Sequence, residues 1–294
     1  MSDDVAVFEC HRPALLALAY RMLGDLARAE DLVQEAWLRW QGRSVEVDAP
    51  KPFLLKVVTN LCLNELDSAR ARREESRGDR LPEPVDLVDS SIGRVEALDR
   101  ISMAFLVVLQ RLTPAERAAL LLHDVFDLSH HEIARFLKRS EAACRQLLSR
   151  ARANVAIERP VLCASPEEHQ SLLRAFVRAT GAGEIGPLLD LLAEDATLVV
   201  DVGSEGKRVG RIRNAGRPIS GARRIAAFLA AVRRESGERR DIPVERTLNG
   251  EPAVVFVRDG HPTAAVLISV ADGKIRHVFI QADAARLQHL GPLN

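Results

Sequence analysis

Between Ser129 and Arg152 the sequence SHHEIARFLKRSEAACRQLLSRAR gathers side chains of the kinds that read base edges and hold phosphate. Glu141, Arg145, Gln146 and Ser149 recur at helical spacing, so one helix face presents donors and acceptors of the sort that pair with base edges in a major groove. Lys138, Arg139, Arg150 and Arg152 flank them, and such charges suit phosphate contacts, which give affinity and register without sequence information. From 135 to 159 there are seven Lys or Arg against two Glu. The whole chain has 41 basic and 41 acidic residues, so this basic character is local and net charge predicts no polyanionic partner.

Two start signals define the helices that must carry these residues. Thr113-Pro114-Ala115-Glu116 and Ser129-His130-His131-Glu132 both match the capping box, in which hydroxyl and carboxylate satisfy orphan amides reciprocally. Helices are therefore expected from about 114 and 130. Ile133, Ala134 and Leu137 give the second of these an inner face, with Ala134 small enough for a close crossing. After a short polar turn at Lys138-Arg139-Ser140, a further helix buries Cys144, Leu147, Leu148, Ala151 and Val155. This is the layout of a helix-turn-helix. A plain helical hairpin with a solvated basic face fits the same pattern. His130, His131 and Cys144 are not expected to bind metal, because histidines in a first helical turn are ordinarily solvated.

Upstream, residues 5 to about 76 are helical in period. Phe53, Leu54, Val57, Val58, Leu61, Cys62 and Leu66 paint one face, and Lys56, Thr59, Asn60 and Asn64 lie on the other. A preceding helix starts with Asp25 as N-cap and buries Leu26, Ala29, Val33, Ala36, Trp37 and Trp40, leaving Asp31, Gln34 and Glu35 outside. Residues 70 to about 92 are charged, interrupted by Leu81-Pro82-Glu83-Pro84, and are expected to form a flexible linker.

From Ser165 onward the character changes. Capped helices are expected from Ser165 and over Ala222 to Glu235. Strand-like runs span Ala196 to Val202, Val244 to Leu248, Ala253 to Val257, Ala264 to Val270 and Ile275 to Gln281. Asn249-Gly250, Asp259-Gly260 and Asp272-Gly273 supply the positive φ of tight hairpins, so an antiparallel meander packed on helices follows. Asp201 and His277 fall on strands where an acid/base pair would line a cavity. No nucleophile elbow, metal-ligand spacing or phosphate loop accompanies them. No catalytic residue, metal or cofactor is expected.

With 294 residues, 47% of them apolar and 4% aromatic, the chain suits two or three soluble units with aliphatic cores. Cys10, Cys62, Cys144 and Cys163 form no Cys-x-x-Cys pair, and no signal sequence or membrane-length apolar run is present, so a cytoplasmic protein with free thiols and no membrane contact is expected.

The region around Leu112-Thr113-Pro114-Ala115-Glu116-Arg117, Glu132-Ile133-Ala134 and Ser149-Arg150-Ala151-Arg152 resembles region four of extracytoplasmic-function sigma factors. Ala29 to Ala36 and Pro52 to Arg73 resemble their region two. The resemblance implies a fold of two all-α domains, at 1–76 and 93–160, joined by a linker at 77–92. It implies that Asp31, Gln34 and Glu35 meet the β′ clamp helices of core RNA polymerase, with the β flap as a further contact. It assigns Asn60, Asn64, Arg70, Arg72 and Arg73 to the minus-ten element, and Arg145, Gln146 and Ser149 to the minus-thirty-five element. Residues 165–294 resemble the SnoaL-like, NTF2-type α+β cone fused to the SigJ-type subgroup. Leu81-Pro82-Glu83-Pro84 matches that subgroup's linker, with Arg80 where tryptophan is usual. Asp201 and Gly203 stand in its glycine-rich loop and Asp283 in its C-terminal motif, which implies regulatory contacts at these positions. The implied function is promoter-specific initiation tuned by the chain's own C-terminal domain, with a small-molecule ligand or anti-sigma protein as further partners. The alternative is a helix-turn-helix regulator with a ligand-sensing domain that does not dock on core polymerase.

Overall fold

The computed structural model describes residues 2–44, 46–73, 80–86, 102–156, 165–203, 208–209, 212–213, 217–236 and 241–290. They fall into two bodies. The described residues of 2–73 and 105–156 make the first, and those of 80–86, 102–104 and 165–290 make the second.

The first body is built from α1 (Ser2–Leu23), α2 (Leu26–Gln41), α3 (Pro50–Arg73), α4 (Met103–Arg111) without its first two residues, α5 (Pro114–Asp124), α6 (His130–Leu137) and α7 (Glu141–Ala156). Asp25 caps α2 by accepting from the Arg28 amide at 2.9 Å, and Leu26, Ala29, Val33, Ala36 and Trp40 are buried as the 3.6-residue period requires. Trp37 is only half-buried and packs at 5.0 Å on Phe8. On α3 the buried stripe is Leu54, Leu55, Val58, Leu61 and Cys62. Thr59, expected on the polar face, is fully buried instead. Its hydroxyl donates to the Leu55 carbonyl at 2.7 Å, so the helix itself supplies the partner that water would have given. Arg117 is buried on α5 and donates to the carbonyls of Leu109 (2.7 Å), Leu112 and, on α1, Met22. One guanidinium thus ties α1 to the α4–α5 corner.

The second body holds α8 (Pro166–Ala182), α9 (Ile185–Leu191), β1 (Leu192–Asp201), β2 (Arg208–Val209), β3 (Ile212–Arg213), β4 (Ile219–Ser220), α10 (Ala222–Glu235), β5 (Ile242–Leu248), β6 (Glu251–Arg258), β7 (His261–Ala271), β8 (Lys274–Gln281), α11 (Ala284–Leu287) and a 3₁₀ turn, Gln288–Leu290. The sheet order is β4-β1-β8-β7-β6-β5, with β2 and β3 as a separate hairpin. β5 to β8 form the expected meander, each turn using positive φ at Asn249, Asp259 and Asp272 and at the glycine that follows. One pairing departs from a pure meander. β1 joins β8 in parallel, because α10 and β4 intervene and return the chain to the far end of the sheet.

Strand alternation separates two faces. Ala196, Leu198, Val254, Val266, Ile268 and Val278 pack with Leu173 and Phe176 of α8 and Ile225 and Leu229 of α10 into one aliphatic core. The opposite face, with Val199, Asp201, Ala253, Val255, Leu267, Phe279 and Gln281, is also buried. An all-round buried sheet needs cover on both sides. On the second face, cover comes from α11 and from residues 81–85, all of which are buried.

Candidate nucleic-acid interface and linker dock

Both capping boxes form. Ser129 accepts from the Glu132 amide (3.2 Å) while Glu132 accepts from the Ser129 amide (2.8 Å), and Thr113 and Glu116 repeat the arrangement. Those bonds to Ser129 hold the Glu132 carboxyl below its usual range. Ile133, Ala134 and Phe136 are buried on α6, with Leu137 half-buried. Lys138 ends the helix at φ 51°, the left-handed region, and so forms the turn with its backbone. Ser140 accepts from the Ala143 amide at 3.2 Å and starts α7, which buries Cys144, Leu148 and Ala151.

That packing leaves Glu141, Arg145, Gln146, Ser149 and Arg150 exposed on α7, with Lys138 and Arg139 exposed before it. Glu141 is shared between His131 (3.0 Å) and Arg145 (3.5 Å). Arg152 reaches back to Asp124 of α5, whose carboxyl is held below the ordinary range by Arg152 and His123 despite partial burial. It therefore braces the helix pair as well as standing beside the basic face.

On α2, Asp31 and Gln34 are exposed and Glu35 accepts from Arg39 at 2.6 Å. Leu38 is 61% exposed. With Asp31 and Gln34 it follows the i, i+3, i+7 spacing of a single helix face. On α3, Asn60 is half-buried and Asn64 exposed. Arg70, Arg72 and Arg73 lie on its last turns, and their side chains fall outside the described residues.

In the second body the scattered linker and C-terminal positions meet. The Leu81 amide donates to Asp201 Oδ2 (2.9 Å), and Arg286 donates to the Leu81 carbonyl. The Val85 amide donates to Asn249 Oδ1 (3.1 Å), and the Asn249 amide donates to the Val85 carbonyl (2.8 Å). Pro82 and Pro84 bring no amide that would need a partner, which suits them to a buried, irregular stretch. Glu83 is buried with its carboxylate 3.7 Å from His289. Residues 81–85 are therefore not the free tether that their composition suggests, but an extended strap lying on a sheet face.

Asp201 also accepts from Gln281 (3.3 Å) and from the Gly203 amide (3.0 Å). Gly203 has φ 78°, and a Cβ there would stand 2.9 Å from the Asp283 carboxylate. Only glycine satisfies both demands. Asp283 caps α11 through the Ala285 amide (3.1 Å) and pairs with Arg80 at 3.5 Å. Residues 204–207 of the same loop lie outside the described residues.

The Asp201–His277 pair does not form. Asp201 stands opposite Gln281, whereas His277 stands opposite Thr197 and bonds its hydroxyl at 2.6 Å. Four residues of strand, about 13 Å, separate them. Both lie on the strap-covered face and not in the helix-lined core. An open cleft of about 520 Å³ occurs near the strap's end, lined by Asp86, Gln170, Arg174, Glu245 and Arg246 among others. Arg174 and Glu245 pair within it at 2.6 Å.

Sequence reasoning missed Asn249, Val85, Arg286 and Leu38. Asn249 signals only a turn, and its second task depends on a partner 164 positions away. Leu38 was detectable as an apolar residue outside the buried stripe.

A capped helix-turn-helix with a basic outer face, a second helical element in the same body and an α+β body that embraces its own linker define a transcription factor with a built-in C-terminal module. Residues 7–72 match the Sigma-70 region 2 family and residues 102–155 match Sigma-70, region 4. The chain is 38% identical to the ECF RNA polymerase sigma factor SigJ of Mycobacterium tuberculosis over 77% of its own length and 72% of the relative's. It is 32% identical to the probable ECF RNA polymerase sigma factor SigI of that species over 94% and 92%. The crystal structure of M. tuberculosis SigJ superposes with a TM-score of 0.74 at 31% identity, covering 99% of this chain and all of that one. The chain belongs to the extracytoplasmic-function RNA polymerase sigma factors, in the SigJ-type group with a C-terminal extension. It is accordingly an RNA polymerase sigma factor, a protein that works with polymerase at promoter DNA. No helix among the described residues is long and apolar enough to cross a membrane.

Proposed function

We propose that this sigma factor tunes its own promoter activity in the cytosol through the strap. With residues 81–85 seated on the C-terminal sheet, the segment that joins region two to region four is shortened and held. Release lengthens it and frees the two regions to reach their DNA elements. The observation that carries this is the quartet of strap hydrogen bonds made by Asp201, Asn249 and Arg286.

In this scheme Asp31, Gln34 and Glu35, together with exposed Leu38, meet the β′ clamp helices, and region four meets the β flap. Asn60, Asn64, Arg70, Arg72 and Arg73 engage the minus-ten element. Arg145, Gln146 and Ser149 read the minus-thirty-five element, with Glu141 orienting Arg145 and Lys138, Arg139, Arg150 and Arg152 near phosphate. The C-terminal body acts by contact and not by catalysis. A small molecule in the open cleft beside Asp86, or an anti-sigma protein, would bias the strap.

The test is in vitro transcription with core polymerase, comparing the full chain, Arg286→Ala, and chains ending near Asp283 and near Pro160. Altered output from Arg286→Ala and from both shortened chains is expected. Equal output from all four overturns the regulatory assignment. Loss of core association on Asp31→Ala/Glu35→Ala supports polymerase docking, and intact association favours a regulator that acts without it.

A further inference from the structure

The turn between β5 and β6 takes hold of the chain at two places. Asn249 exchanges two hydrogen bonds with Val85, the last residue of the buried strap. Two positions on, the Glu251 carboxyl accepts from the Met103 amide. Val85 and Met103 stand on either side of residues 86–102, so one short turn grips both ends of that stretch. Met103 is also the first residue of α4, where an amide has no partner within its own helix. The helix divides here, since 103 and 104 belong to the second body and the remainder to the first.

The two grips differ in chemistry. Asn249 holds with an amide, which does not titrate. Glu251 holds with a carboxyl in apolar surroundings. Leu248 stands opposite it on β5, and Met103 and Ala104 are buried. Continuing the Ala253–Leu267 register by one step on the same face sets Ser269 beside it on β7. Glu251 Oε2 and the Ser269 hydroxyl are both enclosed, with no hydrogen-bond partner among the described residues. The titratable side chains at this end of the sheet are Asp86, Glu168, Arg246, Asp272, Lys274 and His277, and the first turn of α4 carries none. No charge among them acts on the Glu251 carboxyl. Burial raises it to about 7, and only the bond from Met103 pulls the other way.

An ionised carboxylate at this position gains no cation and no second donor in place of water, whereas it is solvated once residues 102–104 lift away. We propose that Glu251 is a proton-controlled latch on the start of region four: neutral, it holds residues 102–104 on the C-terminal body, and ionised, it lets them go while Asn249 keeps its grip on the strap. The sign follows from linkage. The held state favours the neutral form, so the hold is complete below about pH 4.5 and is lost as pH rises through about 7. The latch acts on region four and not on the strap, so it stands whether or not the strap tunes transcription.

The test is hydrogen exchange of the full chain at pH 6 and pH 8, read on peptides covering 102–106, with each rate divided by the intrinsic rate at that pH. A carboxyl that titrates near 7 when held and near 4.5 when released makes opening about tenfold more frequent at pH 8 than at pH 6. Protection of these amides is therefore expected to fall about tenfold. Glu251→Gln keeps an acceptor for the Met103 amide and does not ionise, so its protection is expected to be equal at the two pH values. The strap amides of Leu81 and Val85 are expected to exchange alike in parent and variant at each pH. No loss in the parent, or an equal loss in the Gln variant, overturns the proposal. A loss that extends to the amides of β7 also overturns it, because the whole second body would then be opening. As a second measurement, the Glu251 carboxyl followed by ¹³C NMR is expected to titrate near 7 in the parent, and titration at the ordinary carboxylate value overturns the latch. Failure of the strap mechanism shows separately, as unchanged transcription by Arg286→Ala.

Discussion

Replacing Asp201 by Asn isolates the strap's main electrostatic tie. Burying Leu81 and Val85 contributes roughly 3–6 kcal/mol, and the four strap hydrogen bonds add about 1 kcal/mol each. Fixing five residues costs about 5–10 kcal/mol, at the low end here because two are proline. Docking is therefore close to balance, and a change of about 1.4 kcal/mol moves its equilibrium tenfold. Asn keeps the shape and one acceptor at 201 but loses the charge that strengthens the bond from the Leu81 amide, at a cost of about 1–1.5 kcal/mol. Hydrogen exchange of the full chain, followed on peptides covering 80–86, should show the Leu81 and Val85 amides exchanging about tenfold faster. Amides of β7, on the same sheet, should keep their protection. Unchanged strap exchange would refute the assignment of Asp201 as the tie, and equal acceleration throughout the sheet would show that the loss is one of global stability.

Other outcomes follow from the same geometry. Gly203→Ala, forced to φ 78° and against Asp283, should lower the thermal stability of the second body by about 2 kcal/mol, read by calorimetry. Glu251 accepts from the Met103 amide, and burial raises its carboxyl to about 7. Its neutral form is thus the one the fold favours, so its contribution is intact below about pH 4.5 and is lost as pH rises towards 7; Glu251→Gln should flatten that decline and melt higher at pH 8. Arg117→Leu, which strands the carbonyls of Met22, Leu109 and Leu112, should cost about 2–3 kcal/mol in denaturant unfolding. Leu38→Asp, at a 61% exposed position, should leave stability within about 0.5 kcal/mol while weakening core-polymerase association at least tenfold in a pull-down titration.

Local signals carried the helical half well. The capping boxes at Thr113 and Ser129, the cap at Asp25 and the turn at 138–140 lie where their spacing puts them, because each is decided by residues within four positions of one another. The meander was equally legible from three turn dipeptides. What failed was non-local. Thr59 looks polar until the helix consumes its hydroxyl, and the linker looks solvated until a sheet assembled more than 110 residues later covers it. The parallel β1–β8 pairing could not be seen either, since periodicity gives a strand's faces but not its neighbour. Asp201 was singled out for two roles, and the register of β1 against β8 sets it opposite Gln281, away from the His277 with which the acid/base role would pair it.

The strap's partners are also far apart in time. Leu81 is synthesised 120 residues before Asp201 and 205 residues before Arg286. At 5–20 residues per second, roughly 10–40 s pass between the strap and its last clasp. Both helical regions are complete during that interval while their connection has nowhere to lie, so each nascent copy spends its first moments unclasped. Whatever the full clasp governs begins only after Arg286 has been made.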